Sequence, residues 1–494
     1  MSARLDHLLQ TQLAARPDAP AFSDDAGHAL SYAGLDAASA EIGARLVALG
    51  VKPGDRVLLL SENCCAAVTS LFAAWRIGAV IVPANARQTQ AEIARIEEHC
   101  TPAAILATTE VSQNAAAHAK TYGLAEHTGP FGTLAIGAAH DSNPADDTDL
   151  AVLLYTTGTT GAPKGVMLSH ANVRFGGLTS ANLRQMTPDD LIYGVLPITH
   201  VFGLCSVTVA SVTAGAPVRL AARFDVAATH AALRDGITLF SAVPQMHALL
   251  MAHVKGQNLN SPTLRYVSSG AAPLDPTWKR EAEGFYGVAL QNGWGMTECS
   301  AGAAATRNPL GSDDISVGPP LPGVENTVDL DAPGAEEDVG EVLTRGPHVM
   351  MGYYRNPDAT AETITPEGWL RTGDLGRIDA YGHLHIVGRS KELIIHGGFN
   401  VYPPEVEAAL NDHPDVIQAA VVGRRIGGDE KVVAFCQVAP DTALEAEALR
   451  AFVAERLTGY KRPSQIVLAE ALPAAPTGKI LKHKLLEHFA DELD

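Results

Sequence analysis

The sequence predicts an α/β protein, with a large multi-sheet α/β N-terminal domain and a small α+β C-terminal domain. Three observations predict it. Residues 1–150 alternate helical stretches with short, continuous apolar runs, the pattern of layered strands and helices. Three later apolar runs open into loops rich in Gly, Ser and Thr, beginning at 151, 265 and 288. From Gly382 the texture changes to closely spaced alternating segments and short helices. A chain of 494 residues is also too long for a single core.

In chain order, "MSARLDHLLQTQLAARPDAP" reads as a short amphipathic helix without the continuous apolar stretch of a secretory signal. "IGARLVALGVKPGDRVLLLSEN" reads helix, turn, buried strand, and "LFAAWRIGAVIVPANA" repeats the unit. Residues 151–155 form a buried strand. "RYVSSGAAPL" and "VALQNGWGMTE" are strand-then-loop units, the places where α/β sheets bind ligands. "DAPGAEED", 331–338, is an acidic surface turn. "GHLHIVGRSKELIIHGG" alternates as a hairpin, and "PPEVEAALNDH" starts a helix after proline. "VIQAAVVG" and "EKVVAFCQV" read as short strands, and "LEAEALRAFVAERL" as an amphipathic helix. The predicted domains are 1–388 and 389–494.

A hydrophobic content of 46% with 18% charged residues is ordinary for a soluble protein. A net charge of −19 argues against a nucleic-acid or anionic-membrane surface, though not against a local basic pocket. The six cysteines form no C-x-x-C pair and read as reduced, mostly buried thiols. No 18-residue apolar run suggests a membrane span. A cytoplasmic enzyme is expected.

The stretch "YTTGTTGAPKGVMLSH", Tyr155 to His170, places four Thr, three Gly and one Lys in its first eleven residues. Glycine backbone N–H groups, Thr hydroxyls and a mobile ammonium suit an anion with several oxygens, such as a triphosphate. The spacing is not that of the P-loop: Gly158 and Gly161 are too close, and Gly165 follows Lys164 where a hydroxyl would bind magnesium.

Taken with this loop, "LPITHVFG" (196–203), "NGWGMTE" (292–298), "GEVLTRGPHVMMGYYRNPDAT", "GWLRTGDLG", "GRSKELIIHGGFNVYPPEVE" and "PTGKILK" (476–482) occur in one order along the chain. Together they resemble the motifs of the adenylate-forming (ANL) superfamily: acyl-CoA synthetases, aryl-CoA ligases, peptide-synthetase adenylation domains and firefly luciferase. The resemblance implies the ANL fold with a mobile C-terminal domain. It implies attack of a carboxylate on the α-phosphate of ATP to give acyl-AMP and pyrophosphate, then displacement of AMP by the thiol of CoA.

The resemblance also implies residue roles. Thr156, Thr157, Gly158, Thr159, Thr160, Gly161 and Lys164 would cradle the phosphates. Glu298, after Thr297, would hold Mg²⁺. Asn292 would meet the adenine amino group, with Gly293, Trp294 and Gly295 along one wall of the adenine slot and Ser269, Gly270, Ala271 and Ala272 along the other. Trp294 stands where the family usually has Tyr. Asp374 would accept from the ribose hydroxyls, and Arg389 would reach ribose or phosphate. Lys391 matches the hinge. Gly397 and Gly398 would let the pantetheine arm pass. His200 would gate the acid, and Lys479 would bridge carboxylate and α-phosphate. Lys482 and Lys484 read as solvated or as contacts to CoA phosphate.

The acyl pocket is expected among Val201, Phe202, Val243, Gly293, Ala301 and Gly302, all small or apolar. A second substrate carboxylate would need a cation there. Malonate-type members have an Arg just before their "YGMTE", and Gly293 stands in its place. An apolar fatty or aromatic acid is therefore expected. An amino acid is disfavoured because "LFSAVP" lacks the Asp that would hold its amine. The expected partners are the acid and CoA, with a homodimer left open. Alternatives are a ligase that loads a carrier protein and a nucleotide-binding protein without ligase activity. A luciferase-like oxygenase has no feature in its favour.

Overall fold

The structure, a computed structural model, describes residues 4–145, 149–157, 163–254, 257–270, 274–426, 429–440, 442–475 and 479–493. Two eight-stranded sheets, largely parallel at their centres, carry the N-terminal part. One has Leu239–Ala242, Tyr266–Gly270 and Leu290–Trp294 side by side in parallel. The other has Leu150–Thr157, Val80–Asn85 and Arg56–Ser61 as neighbours. The strand Arg56–Ser61 is buried along its whole length, because helices cover both faces of a parallel sheet. The helix Cys65–Arg76, "CAAVTSLFAAWR", is buried at every position but its terminal Arg. Its small residues let it pack on all sides, including against Tyr32–Ala48.

A four-stranded antiparallel sheet follows, in the order Glu325–Asp329, Gly340–Arg345, Leu370–Ile378 and Leu384–Arg389. From Ile394 onward the chain builds its own apolar core, around Val406, Leu410, Val421, Ala434 and Leu449.

Two strand readings are corrected. Residues 382–398 are not one hairpin. Leu384–Arg389 pairs backward with Leu370–Ile378, while Ile394–His396 pairs forward with Phe399–Val401. Alternation shows that a segment is a strand but not which segment it pairs with. The strands read as short at 416 and 430 are long, Val416–Ile426 and Asp429–Val438. Their polar ends continue the ladder, with Arg425 opposite Glu430 at 3.2 Å.

Of the buried histidines in this scaffold, three are shifted strongly. His247 bonds Tyr286 Oη at 2.7 Å and the Ser268 carbonyl at 3.2 Å. His348 bonds Thr344 Oγ1 at 2.8 Å, and His170 Nδ1 accepts from Leu5 N–H at 3.2 Å. Burial above all pushes each down to about 4. They are neutral in the fold and protonate in the unfolded chain below about 6.5. Their stabilisation is therefore complete above about pH 6.5 and is lost as pH falls toward about 4, at up to about 1.4 kcal/mol per histidine per pH unit. The urea midpoint should fall steeply between pH 7.5 and 5.0; an unchanged midpoint would contradict this account.

Candidate active site

The site collects at loops after the carboxyl ends of the parallel strands. Leu150–Thr157 and Pro163–Ser169 form an antiparallel hairpin in which Thr156 faces Lys164. The hairpin's base is pinned by a 2.7 Å bond between Tyr155 Oη and His99 Nδ1. Its tip, with Gly158, Thr159, Thr160 and Gly161, lies outside the described residues, as do Ala271 and Ala272. A short strand, Gly352–Tyr353, adds to the hairpin's other edge. It brings Tyr353 under Lys164, whose Nζ stands 4.7 Å from the ring centroid.

Tyr353 Oη donates to Glu298 Oε1 at 2.9 Å. Glu298 is only 6% exposed, in a single turn at Thr297–Cys299. The chain doubles back so tightly here that a Cβ on Gly295 would lie 2.0 Å from the Ala301 carbonyl oxygen. Only glycine fits. Burial pushes the Glu298 carboxyl upward, against the pull of Tyr353, Arg389 and Lys164.

Beside it, Trp294 Nε1 donates to Asp374 Oδ2 at 2.7 Å, and Arg389 Nε meets Asp374 Oδ1 at 2.9 Å. Trp294 packs with Val342 and Leu384, so one ring both fills the core and fixes the acid. Asn292 is buried, donates from Nδ2 to the Ser316 carbonyl at 3.0 Å and accepts the Gly293 N–H at 3.0 Å. Gly270 and Gly293 are cross-strand partners, which leaves a bare slot at the strand ends. Next to it Ser269 Oγ is buried without a partner, a free hydroxyl at the slot that suits a polar ligand.

His200 lies just ahead of the π-helix Phe202–Val209, and its Nδ1 accepts the Phe202 N–H at 3.2 Å. Burial, then the charge of Lys479, pushes it down to about 4, so the ring is neutral at pH 7. Lys479, an exposed residue of the C-terminal part, is therefore near enough to His200 for its charge to act on the ring. Desolvation and Arg389 lower its own pKa, while Glu392 and Asp374 oppose them. Its segment is held at the base. Lys482, expected to be solvated or a contact to CoA phosphate, is half-buried and bridges Glu392 at 2.9 Å and Glu407 at 2.7 Å, and these carboxylates raise its pKa against desolvation.

Lys391 sits in the single turn Ser390–Glu392. Gly397 and Gly398 form a two-residue turn, both with positive φ, and Gly397 N–H donates to Asp429 Oδ1 at 2.9 Å within its own domain. The structure ties that turn to none of Glu298, Asp374 or His200. The sequence reading missed Tyr353; its signal was the doublet in "MMGYY", quoted there but given no role.

A family described as AMP-binding enzyme matches residues 9–354, and AMP-binding enzyme C-terminal domain matches 405–479. The chain is similar to sulfoacetate–CoA ligase of Cupriavidus necator, 33% identical over 97% of each chain. It is likewise similar to feruloyl-CoA synthase of an Amycolatopsis species, 33% identical over 94% of each. ATP-bound MatB from Rhodopseudomonas palustris, 31% identical, superposes over 100% of both chains with a TM-score of 0.86. The apo form of the same protein scores 0.74. The chain as a whole superposes better on the ATP-bound form than on the apo form.

Proposed function

We propose that this chain, which belongs to the AMP-binding enzyme family, activates an aromatic acid that enters past His200. It is an AMP-forming acyl-CoA ligase: ATP and a carboxylic acid give acyl-AMP and pyrophosphate, and CoA then takes the acyl group. The observation that supports the site assignment is that Lys479 of the small domain lies within electrostatic reach of His200 and Asp374 of the large one.

In this reading the residues divide the work. Lys479 brings an ammonium to where charge develops between carboxylate and α-phosphate, the most effective use of a fixed cation. Neutral His200 lines the acid's path without attracting a second anion. Asp374, held on both oxygens by Trp294 and Arg389, keeps its remaining lone pairs for the ribose hydroxyls. Lys164 and the loop it borders take the phosphates. A single buried carboxylate at Glu298 fits Mg²⁺, which takes one or two carboxylates and completes its shell with phosphate oxygens and water. When bound, that ion offsets phosphate charge. We place the domain boundary at 388/389 with the pivot at Lys391, beside the Lys482–Glu392 pair, and the turn at Gly397 and Gly398 on the route of the CoA arm.

The aromatic preference is supported by small and apolar side chains along the pocket and by the relative that is a feruloyl-CoA synthase. No helix among the described residues is long and apolar enough to cross a membrane. Six buried, unpaired thiols suit a reducing, cytoplasmic setting. The test is incubation with ATP, Mg²⁺, CoA and a pool of fatty, aromatic and small acids, with products read by mass. Aroyl- or cinnamoyl-type CoA thioesters should dominate. Fatty acyl-CoA products alone would overturn the aromatic reading, and acyl-AMP without thioester would point to a carrier protein.

A further inference from the structure

We infer that Arg184 forms the floor of the acyl pocket and selects acids bearing an oxygen acceptor at the end far from the reacting carboxyl. This rests on the reading that an acid enters past His200, and it deepens that reading. The sequence seeks a pocket cation just before "WGMTE" and finds Gly293. The structure supplies one from a different element.

The helix His170–Leu183 runs along the π-helix Phe202–Val209. Near its start, a Cβ on Gly176 would lie 2.3 Å from the Ser300 carbonyl oxygen, beside the Glu298 turn. Gly176, Ser180 and Arg184 follow at four-residue steps, so they share a face, and the last is roughly 12 Å beyond the first. The π-helix crosses it, with Gly177 against Val209 and with Ser180 and Arg184 against Ser206. Phe202 meets the slot, 3.2 Å from where a Gly270 Cβ would sit. Ser206, one turn on, accepts at Oγ from Ser180 Oγ at 3.1 Å. Arg184 Nη1 donates to the Ser206 carbonyl.

Arg184 itself is 5% exposed, with its guanidinium 5.8 Å from the Tyr266 ring centroid. Its Nε has no partner. No carboxylate pairs with it among the described residues; Asp190 is taken by Arg265, at 2.8 and 2.6 Å. A buried cation with neither counter-ion nor full hydrogen bonding is costly. A strut for one carbonyl needs no charge. A ligand oxygen would satisfy Nε, and the Ser180–Ser206 hydroxyl pair would accept a hydrogen bond from a phenol. A carboxylate there would also supply the missing countercharge.

The experiment compares cinnamate, 4-hydroxycinnamate and 4-carboxycinnamate as substrates of the full-length enzyme. The wild type should favour both substituted acids over cinnamate by about tenfold or more in kcat/KM, since a site built to hydrogen-bond a substrate oxygen rejects the analogue lacking it. Arg184→Met should lower kcat/KM for the substituted acids at least about tenfold more than for cinnamate, mostly through KM. A wild type that prefers cinnamate overturns the inference without touching the ligase reading, and this arm needs no variant. Equal losses on all three acids would make Arg184 a structural strut. Turnover of none of them, with other acids used, overturns both readings.

Discussion

Lys479→Ala should lose pyrophosphate formation by about 10²- to 10³-fold, the roughly 2.7–4 kcal/mol expected for one transition-state donor, yet still pass supplied acyl-AMP to CoA. The reason lies in where the residue stands. Lys479 belongs to the C-terminal part, but the groups that shift its pKa include Asp374 of the large domain, and its own charge depresses His200. It can hold that position only while the small domain keeps the setting seen here, in a chain that as a whole scores 0.86 against the ATP-bound relative and 0.74 against the apo one. A thiol needs access to the same site, so the lysine must leave before thioester formation and cannot contribute to it. The measurements are pyrophosphate exchange into ATP for the first half-reaction and thioester yield from synthetic acyl-AMP for the second. Equal loss in both would mean that Lys479 holds the domains together instead of acting on the acid.

How much of this was legible in the sequence depends on how local each feature is. Glu298, Trp294 and Asn292 lie within seven residues of one another after a single strand, so the motif carried them together. The strand-then-loop units at 266 and 290 were readable for the same reason. What joins the site across distance was not. Trp294 meets Asp374 across 80 residues, and Tyr353 meets Glu298 across 55; neither pair has a sequence signal beyond its own motif. Lys482 reads as solvated or as a contact to CoA phosphate because Lys on a polar segment usually faces water; its two glutamates come from another turn and another helix. Arg184 was invisible as a pocket residue because its helix is mostly small and polar, and nothing in "ANLRQ" marks which side faces inward. The charged ends of the 416–438 hairpin read as loop, since strand propensity favours apolar and β-branched residues, whereas the backbone ladder here continues through Arg424, Arg425, Glu430 and Lys431.

Glu298→Gln should stabilise the ligand-free protein while removing about 10²- to 10³-fold of its activity, and the two effects have one cause. Burial raises the Glu298 pKa above its usual 4.5. The folded state therefore holds a proton on this group more tightly than the unfolded state does. Its contribution to stability is most favourable below about 4.5 and declines as pH rises through the folded value, so at neutral pH the ionised, buried carboxylate costs free energy. Gln removes the charge and still accepts the Tyr353 hydroxyl. The ligand-free variant should melt above the wild type at pH 7.5, and the gap should close as the pH approaches 4.5. Adding Mg²⁺ and ATP should reverse the order, because binding stabilises only the chain that keeps the ligand oxygens. A variant that melts lower at pH 7.5 would show the carboxylate to be a structural hydrogen-bond partner. A variant that is more stable yet fully active would place the magnesium ligand elsewhere. A carboxylate destabilised by burial would bind a cation more strongly than a relaxed one, so with Glu298 as the magnesium ligand the cost in the empty protein would become part of the affinity in the loaded one.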